Sequence, residues 1–563
     1  MSFTWTIVGL VVVLAVAWRF LGSYMVAVYE GRVRWLSYVE RPIYRICGVD
    51  PANEQSWQRY GVSVIMFSAV AILISYLIFR LQGSLPFNPQ HLPAIPPALS
   101  WNTAVSFVTN TNWQAYSGET TMSYLSQMGA LAVQNFLSAA VGVAIAVALI
   151  RGFSRKGSKT IGNFWADLVR GTIYVLLPIA FLGAIVFVAQ GALQTLGGPV
   201  HIHDVLNGVR QVIPRGPVAS QEAIKQLGTN GGGFFNANGA SPFENPTGLT
   251  NFLSIVLILC VPVGLTYTFG KMVGSIRQGA AILGVMAIIF GAWLAMGSVA
   301  EHHANPAVAE AGLTAQPTGN MEGKEVRFGD TNSALYDITS TQTSTGSVNS
   351  ALDSYTPIGG FAALSGMMLG EITPGGIGSG LYTVLLFAII TVFIGGLMVG
   401  RTPEYLGKKI QAREVKLAAF GVLVMPITVL ILTAIAVALP AGRAGALNAG
   451  PHGFSEILYG FTSVTNNNGS AFAGLSANTP FYNVVMTLGL LLGRFAIIVP
   501  VLALAGSLAI KDVVPASAGT FRTDKPMFSG LLIGVILIVG ALTFFPALSL
   551  GPLVEQVSSG RFF

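Results

Sequence analysis

Apolar residues arrive along this chain in blocks of about twenty, separated alternately by basic connections and by long polar ones. Runs long enough to cross a hydrocarbon core of roughly 30 Å fall at about 3–28, 61–80, 125–150, 168–190, 248–270, 279–299, 379–399, 416–440, 482–510 and 528–549. They predict ten membrane-spanning helices in an all-α polytopic membrane protein. The first run begins almost at Met1 with no Lys or Arg ahead of it. A secretory signal peptide needs a basic leader, so despite Ala15-Val16-Ala17 this run reads as a retained helix.

The long connections share a pattern. Gly231 is followed by Phe234, Pro242, Phe243 and Asn245, and Gly469 by Phe472, Pro480, Phe481 and Asn483, five pairs each offset by 238 positions. Gly346 and Pro357 keep the same interval of eleven. Such register indicates an internal repeat, a frequent device in membrane transport folds. Each repeat reads as a helix, a re-entrant loop and a second helix. The first long connection fits if Asn112 takes the glycine position. Four triplets then align: Asn110-Thr111-Asn112, Thr229-Asn230-Gly231, Ser344-Thr345-Gly346 and Asn467-Asn468-Gly469. A short helix is predicted before each, starting near the N-cap candidates Ser100, Ser220, Asp330 and Ser455. The chain divides into a first helix and loop (1–60), repeats at 61–150, 168–270, 279–399 and 416–510, and a last helix with its tail (528–563).

Composition sharpens this. Only 9% of the 563 residues are charged and 52% are hydrophobic, with mean hydropathy +0.65. A soluble domain carries about 25% charged residues, so a soluble enzyme, a fibre and a disordered tail are excluded. The net charge of +7 belongs to topology and not to nucleic acid. Twenty Lys and Arg, Arg401 among them, lie in the short connections, against seven, including Arg210 and Arg561, in the long ones and the tail. The positive-inside rule therefore puts the short connections in the cytoplasm and both termini outside. Cys47 and Cys260 are the only cysteines, so no disulfide framework exists.

Non-helical backbone at membrane depth survives only where protein buries it or water lines it. Four such loops can converge on one axis, with the negative ends of their short helices aimed there. Glycine at the third position permits φ > 0, and Asn112 is the substitute that best tolerates it. Stacked neutral carbonyls suit a weakly hydrated monovalent cation, as in potassium filters. Calcium or magnesium would call for carboxylates, and the triplets hold none. The competing reading, ordinary polar turns, fits one loop but not four in register.

Thr109-Asn110-Thr111-Asn112-Trp113-Gln114, the run from Gly228 to Asn236, Ser463–Phe472 and Ser365–Glu371 resemble the potassium-binding A subunits of the Kdp-type potassium-transporting P-type ATPase, from the first helix to the last. The resemblance implies a potassium-transporter superfamily fold, four pseudo-symmetric helix–pore loop–helix repeats plus one extra helix at each end. It also implies a bacterial inner-membrane complex with a P-type ATPase B subunit that uses the ATP, a single-span C subunit and a small F peptide. The filter role falls on the four triplets and on Gln114, with K+ as the only metal and as cargo.

Pro374 and the glycines at 370, 375, 376, 378 and 380 should break the second helix of the third repeat within the membrane, as a gate. Arg494, inside an apolar run, needs a partner, and Glu371 is the expected one, below the filter. His201 with His203, and His302 with His303, lack the further ligands a metal site needs and read as solvated loops. The leading function is the potassium-selecting, non-hydrolytic subunit of a pump. The alternatives are a stand-alone Trk/Ktr-type secondary transporter and a plain channel. No Gly-x-x-x-x-Gly-Lys-Ser/Thr loop and no Asp-Lys-Thr-Gly sequence occurs, so the chain has no nucleotide-hydrolysing motif of either kind.

Overall fold

The computed structural model describes residues 3–203, 208, 210–313, 315–400, 402–515 and 521–558. Arg401 and Arg561 of the charge count lie outside the described residues, as do the side chains of His203 and Arg210. Among the described residues, ten helices are long and apolar enough to span a membrane. In chain order, with the shorter helices between them, they are α1 (Phe3–Tyr29), α2 (Trp57–Leu81), α3 (Pro97–Val108), α4 (Ser126–Ser154), α5 (Phe164–Ala189), α6 (Val218–Leu227), α7 (Gly248–Met272) and α8 (Ile276–His302). There follow α9 (Gly329–Thr341), α10 (Pro357–Met368), α11 (Ser379–Val399), α12 (Ala412–Ala438), α13 (Gly450–Asn466), α14 (Pro480–Ile510) and α15 (Pro526–Leu548).

The repeats are α2–α3–α4, α5–α6–α7, α8–α9–α10/α11 and α12–α13–α14, with α1 and α15 outside them. All ten spans are similarly apolar, so hydropathy alone does not say which are central. Burial does: 89% of the apolar window of α4 is buried, against 17% for α1. The inner helices bury every face, while the outer ones leave large apolar side chains such as Val11, Phe181 and Leu542 exposed, as lipid contact requires.

The shared Gly-to-Pro interval has a local cause. Pro357 and Pro480 each open a helix at its first turn, where a missing N–H costs nothing. Thr356 and Thr479 cap those helices, accepting from Gly359 N and Tyr482 N at 3.2 Å. Pro242 departs from the pattern, because α7 starts later, at Gly248, capped by Thr247. The short helices also start elsewhere than expected. Ser100, Ser220, Asp330 and Ser455 are not their N-caps; Pro96, Pro217, Phe328 and Ala449 are, none with a side-chain cap bond. Proline near three of these starts fixes the entry φ and makes a capping oxygen unnecessary.

The expected break in the third repeat is present: α10 ends at Met368, and α11 starts only at Ser379, after left-handed residues at Gly370, Glu371, Gly375 and Gly378. The outer helix α1 is fastened to α7. Trp18 donates to Thr266 Oγ1 at 3.0 Å, Arg19 meets the Tyr267 hydroxyl, and Thr268 Oγ1 donates to Gly22 O at 3.1 Å. Gly22 makes the approach possible, since a Cβ there would lie 2.6 Å from Tyr267 Cβ and 2.7 Å from Gly264 O. Gly22→Leu should therefore destabilise the detergent-solubilised protein by about 1–3 kcal/mol, as overpacking does. Gly284→Leu on α8, where nothing lies within 4 Å, should leave the melting temperature unchanged.

Candidate ion-binding ring

The short helices end at Val108, Leu227, Thr341 and Asn466, one to three residues before their triplets. In all four, the backbone then turns left-handed at the first triplet position. The φ values are 65° at Asn110, 45° at Thr229, 48° at Ser344 and 58° at Asn467. The N–H of the middle residue reaches back five residues into the helix. Thr111 donates to Ser106 O at 3.0 Å, Asn230 to Lys225 O at 2.9 Å, Thr345 to Ser340 O at 3.3 Å and Asn468 to Ser463 O at 2.8 Å. This is a Schellman cap, repeated four times. The third position is left-handed again, at 56° for Asn112, 87° for Gly231, 70° for Gly346 and 100° for Gly469. The first and third positions thus share φ > 0 in all four loops, and the middle one does not.

The expectation of φ > 0 at the third position, Asn112 included, thus holds. The left-handed first position was not foreseen. Residues other than Gly and Asn pay roughly 1–2 kcal/mol there, and each of the four is anchored by its side chain. Asn110 Oδ1 accepts from Ser138 Oγ at 2.7 Å, Thr229 Oγ1 accepts from Ile377 N at 2.9 Å, Ser344 Oγ donates to Glu371, and Asn467 Nδ2 donates to Thr111 Oγ1 at 2.9 Å.

The loops close into a ring in the order one, two, three, four. A Cβ on Gly231 would overlap the Thr345 carbonyl, one on Gly346 the Asn468 carbonyl, and one on Gly469 the Thr111 carbonyl. Between loops one and two the arrangement is reversed. Asn112 supplies a side chain, and Gly232 leaves room for it, since a Cβ there would stand 2.6 Å from Asn112 Cβ. Gln114 does not join the triplets. It stitches loop one to loop two, donating to Gly233 O and accepting from Gly233 N, both at 3.0 Å.

Glu371 lies against the ring. Its carboxylate accepts from Ser344 and from Asn468 Nδ2, the latter at 2.6 Å. The expected ion pair with Arg494 is not formed. Arg494 donates to Ser138 O at 3.0 Å, on the second helix of the first repeat. Each charge finds hydrogen-bond partners nearer than the other charge, and neutral amides and carbonyls suffice to hold them. Asn110, Ser344, Asn467, Gly370 and Arg494 line a cavity of about 50 Å³ beneath the ring.

Three groups went unnoticed in the sequence. Asn135 and Ser138, three apart on α4, reach Asn112 and Asn110; two polar residues at helical spacing inside an apolar run were the available signal. Asn238 Nδ2 donates to Gly231 O at 2.7 Å, while its Oδ1 accepts from Lys225 Nζ at 2.8 Å. Lys225 itself is buried between Glu222 and Glu244, at 2.6 and 2.5 Å. His201 is exposed on a short hairpin, and His302, which ends α8, pairs with Asp330 at 2.7 Å.

The family model for KdpA, the potassium-transporting ATPase A subunit, matches residues 8–557. A potassium-transporting ATPase potassium-binding subunit of Mesorhizobium japonicum is 55% identical over 542 residues, which cover 96% of this chain and 95% of that protein. One of Methylorubrum extorquens is 55% identical over 549 residues, 97% of this chain and 95% of the relative. The crystal structure of the potassium transporter TrkH from Vibrio parahaemolyticus is similar in fold, with TM-score 0.50 at 14% identity, covering 79% of this chain and 84% of that one.

The hydrogen bond between Glu371 and Asn468 should appear as coupling. Glu371→Ala and Asn468→Ala each strand a buried polar partner, at about 1–3 kcal/mol of stability, so the double variant should lose less than the sum. Glu371→Ala with Arg494→Met should instead add to within about 0.5 kcal/mol. Thermal unfolding of the three single and two double variants checks both, and the reverse pattern would contradict the geometry.

Proposed function

The chain belongs to the family of potassium-transporting ATPase A subunits, and from that membership we propose that its four triplets are the potassium filter of an ATP-driven uptake complex. One observation carries the reading: every triplet has positive φ at its first and third positions, and not at its middle one, directly after the C-terminus of a short helix. The middle N–H of each triplet turns back to its helix, so the triplet carbonyls not already bonded, as Thr229 O is by Asn110 Nδ2 and Gly231 O by Asn238 Nδ2, are available to an ion. The ring contains no carboxylate of its own, which disfavours divalent ions, and the helix ends add a diffuse negative potential.

Below the ring, an ion enters the cavity beside Gly370 and Arg494. The broken segment 370–378, tied to loops three and four through Glu371, acts as the gate. From there K+ passes to a P-type ATPase B subunit that hydrolyses the ATP, in a complex completed by a single-span C subunit and a small F peptide, with membrane lipid around it. The repeats run 61–150, 168–270, 279–399 and 416–510. The chain sits in a bacterial inner membrane with its ring and termini on the outer side, in keeping with the bias of Lys and Arg to the short connections. The TrkH-like fold is equally compatible with secondary transport, but the A-subunit relatives match nearly the whole chain.

Expressed alone, the chain should show neither ATPase activity nor concentrative K+ uptake, whereas gentle purification should bring down a P-type ATPase chain whose ATP hydrolysis responds to K+. Uptake by the lone chain in cells without partner subunits would favour the secondary-transport reading. The filter itself is tested at Gly231. Gly231→Ser puts a side chain into the Thr345 carbonyl, so K+ should activate the assembled complex more weakly, and Rb+ or Na+ should compete better. An unchanged K+-to-Rb+ preference in an intact complex would remove this loop from the filter.

A further inference from the structure

We propose that Asp353, His452 and Glu456 form a binding site for a first-row divalent cation, zinc being the probe, on the face that carries the re-entrant connections. The three side chains come from different places: a turn of the third connection (Leu352–Ser354) and two successive turns of α13. One ligand atom from each lies within 4.8 Å of the others. A tetrahedral zinc with bonds of about 2.1 Å holds its ligands roughly 3.4 Å apart, so small inward shifts complete the set. Asp353 is the member free to move, since it is only partly buried and borders an open cavity of about 310 Å³ that supplies an entry path and room for a water ligand.

Three features distinguish this cluster from a chance gathering of acids. His452 contributes a nitrogen, which selects zinc-like ions over calcium or magnesium. Its Nδ1 faces Glu555 Oε1 at 2.8 Å while its Nε2 faces Asp353 Oδ1 at 3.0 Å. A carboxylate on the far nitrogen is the arrangement that orients metal-bound imidazoles. Gly474 then leaves the space open. Its φ does not demand glycine, yet a Cβ there would collide with the Glu456 carboxylate and stand 2.8 Å from Asp353 Oδ1. Glu456 Oε1 already accepts from the Asn448 backbone and side chain, and Oε2 accepts only from Leu447 N, which leaves Oε2 a lone pair.

Zinc would take the place of the Nε2–Asp353 hydrogen bond, with Nδ1 still facing Glu555. The metal would fasten the turn of the third connection to the helix that aims at the fourth triplet.

The test uses the assembled complex carrying a histidine-free tag, stripped with chelator, exposed to zinc chloride on the alkaline side of neutral, desalted, and counted by elemental mass spectrometry. Wild type should retain one more zinc per A subunit than His452→Gln or Asp353→Asn, and Glu555→Gln should weaken zinc binding about tenfold or more. Should the variants fail to assemble, cobalt substituted into wild type decides, because a tetrahedral nitrogen-bearing site gives intense visible absorption. No retained zinc in wild type, equal zinc in wild type and assembled variants, or a weak octahedral cobalt spectrum would each overturn the proposal.

Discussion

A backbone that leaves its helix inside a membrane carries N–H and C=O groups with no water to receive them, and everything near the ring follows from where those groups go. Here the donors fold back. The five-residue return from each middle triplet position takes the N–H into the preceding helix, and the residue after it is left-handed again. The same geometry requires the next loop to come within contact of each carbonyl, so Gly231, Gly346 and Gly469 are small because their neighbours are close as well as because their φ is positive.

Much of this was legible in the sequence because it depends on composition and spacing. The helices of the ten spans match the apolar runs to within a few residues at each end, since length and hydropathy alone decide whether a helix can cross. The register from glycine to proline is legible because proline at a helix start and glycine at φ > 0 are both stereochemical requirements. The first triplet position was illegible for the opposite reason: Thr229 and Ser344 do not advertise a left-handed conformation, and their tertiary anchors at Ile377 and Glu371 lie far along the chain. The Glu371–Arg494 pairing failed similarly. Counting charges shows that each needs a partner but not that a serine, an amide and a carbonyl supply it.

Charges cluster around the ring without entering it. Lys225 is enclosed by Glu222 and Glu244, Lys324 by Glu301 at 2.7 Å, and Asp337 accepts from Tyr355 at 2.6 Å and from Asn349 N at 3.1 Å. A lone buried charge would be prohibitively costly, so pairing and hydrogen bonding are conditions of its presence. Their effect on the ring is mechanical. Through Asn238, the Lys225 cluster holds the Gly231 carbonyl, so a rigid ionic scaffold fixes a neutral dipole.

Carrying four loops in one chain allows them to differ, and the differences are complementary. Loop one has Asn112 where the others have glycine, and loop two answers with Gly232, whose missing Cβ admits the Asn112 side chain. Asn112 Nδ2 is then held by Asn135 Oδ1 at 2.7 Å, so the substitution adds a fastening to α4 that a glycine could not make. The third repeat differs in another way, by breaking its second helix and lending Glu371 to loops three and four. A ring of identical subunits would repeat every such feature four times, and four carboxylates beneath one axis would repel one another. A single chain can place one, on one side of the ring, where Ser344 and Asn468 hold it.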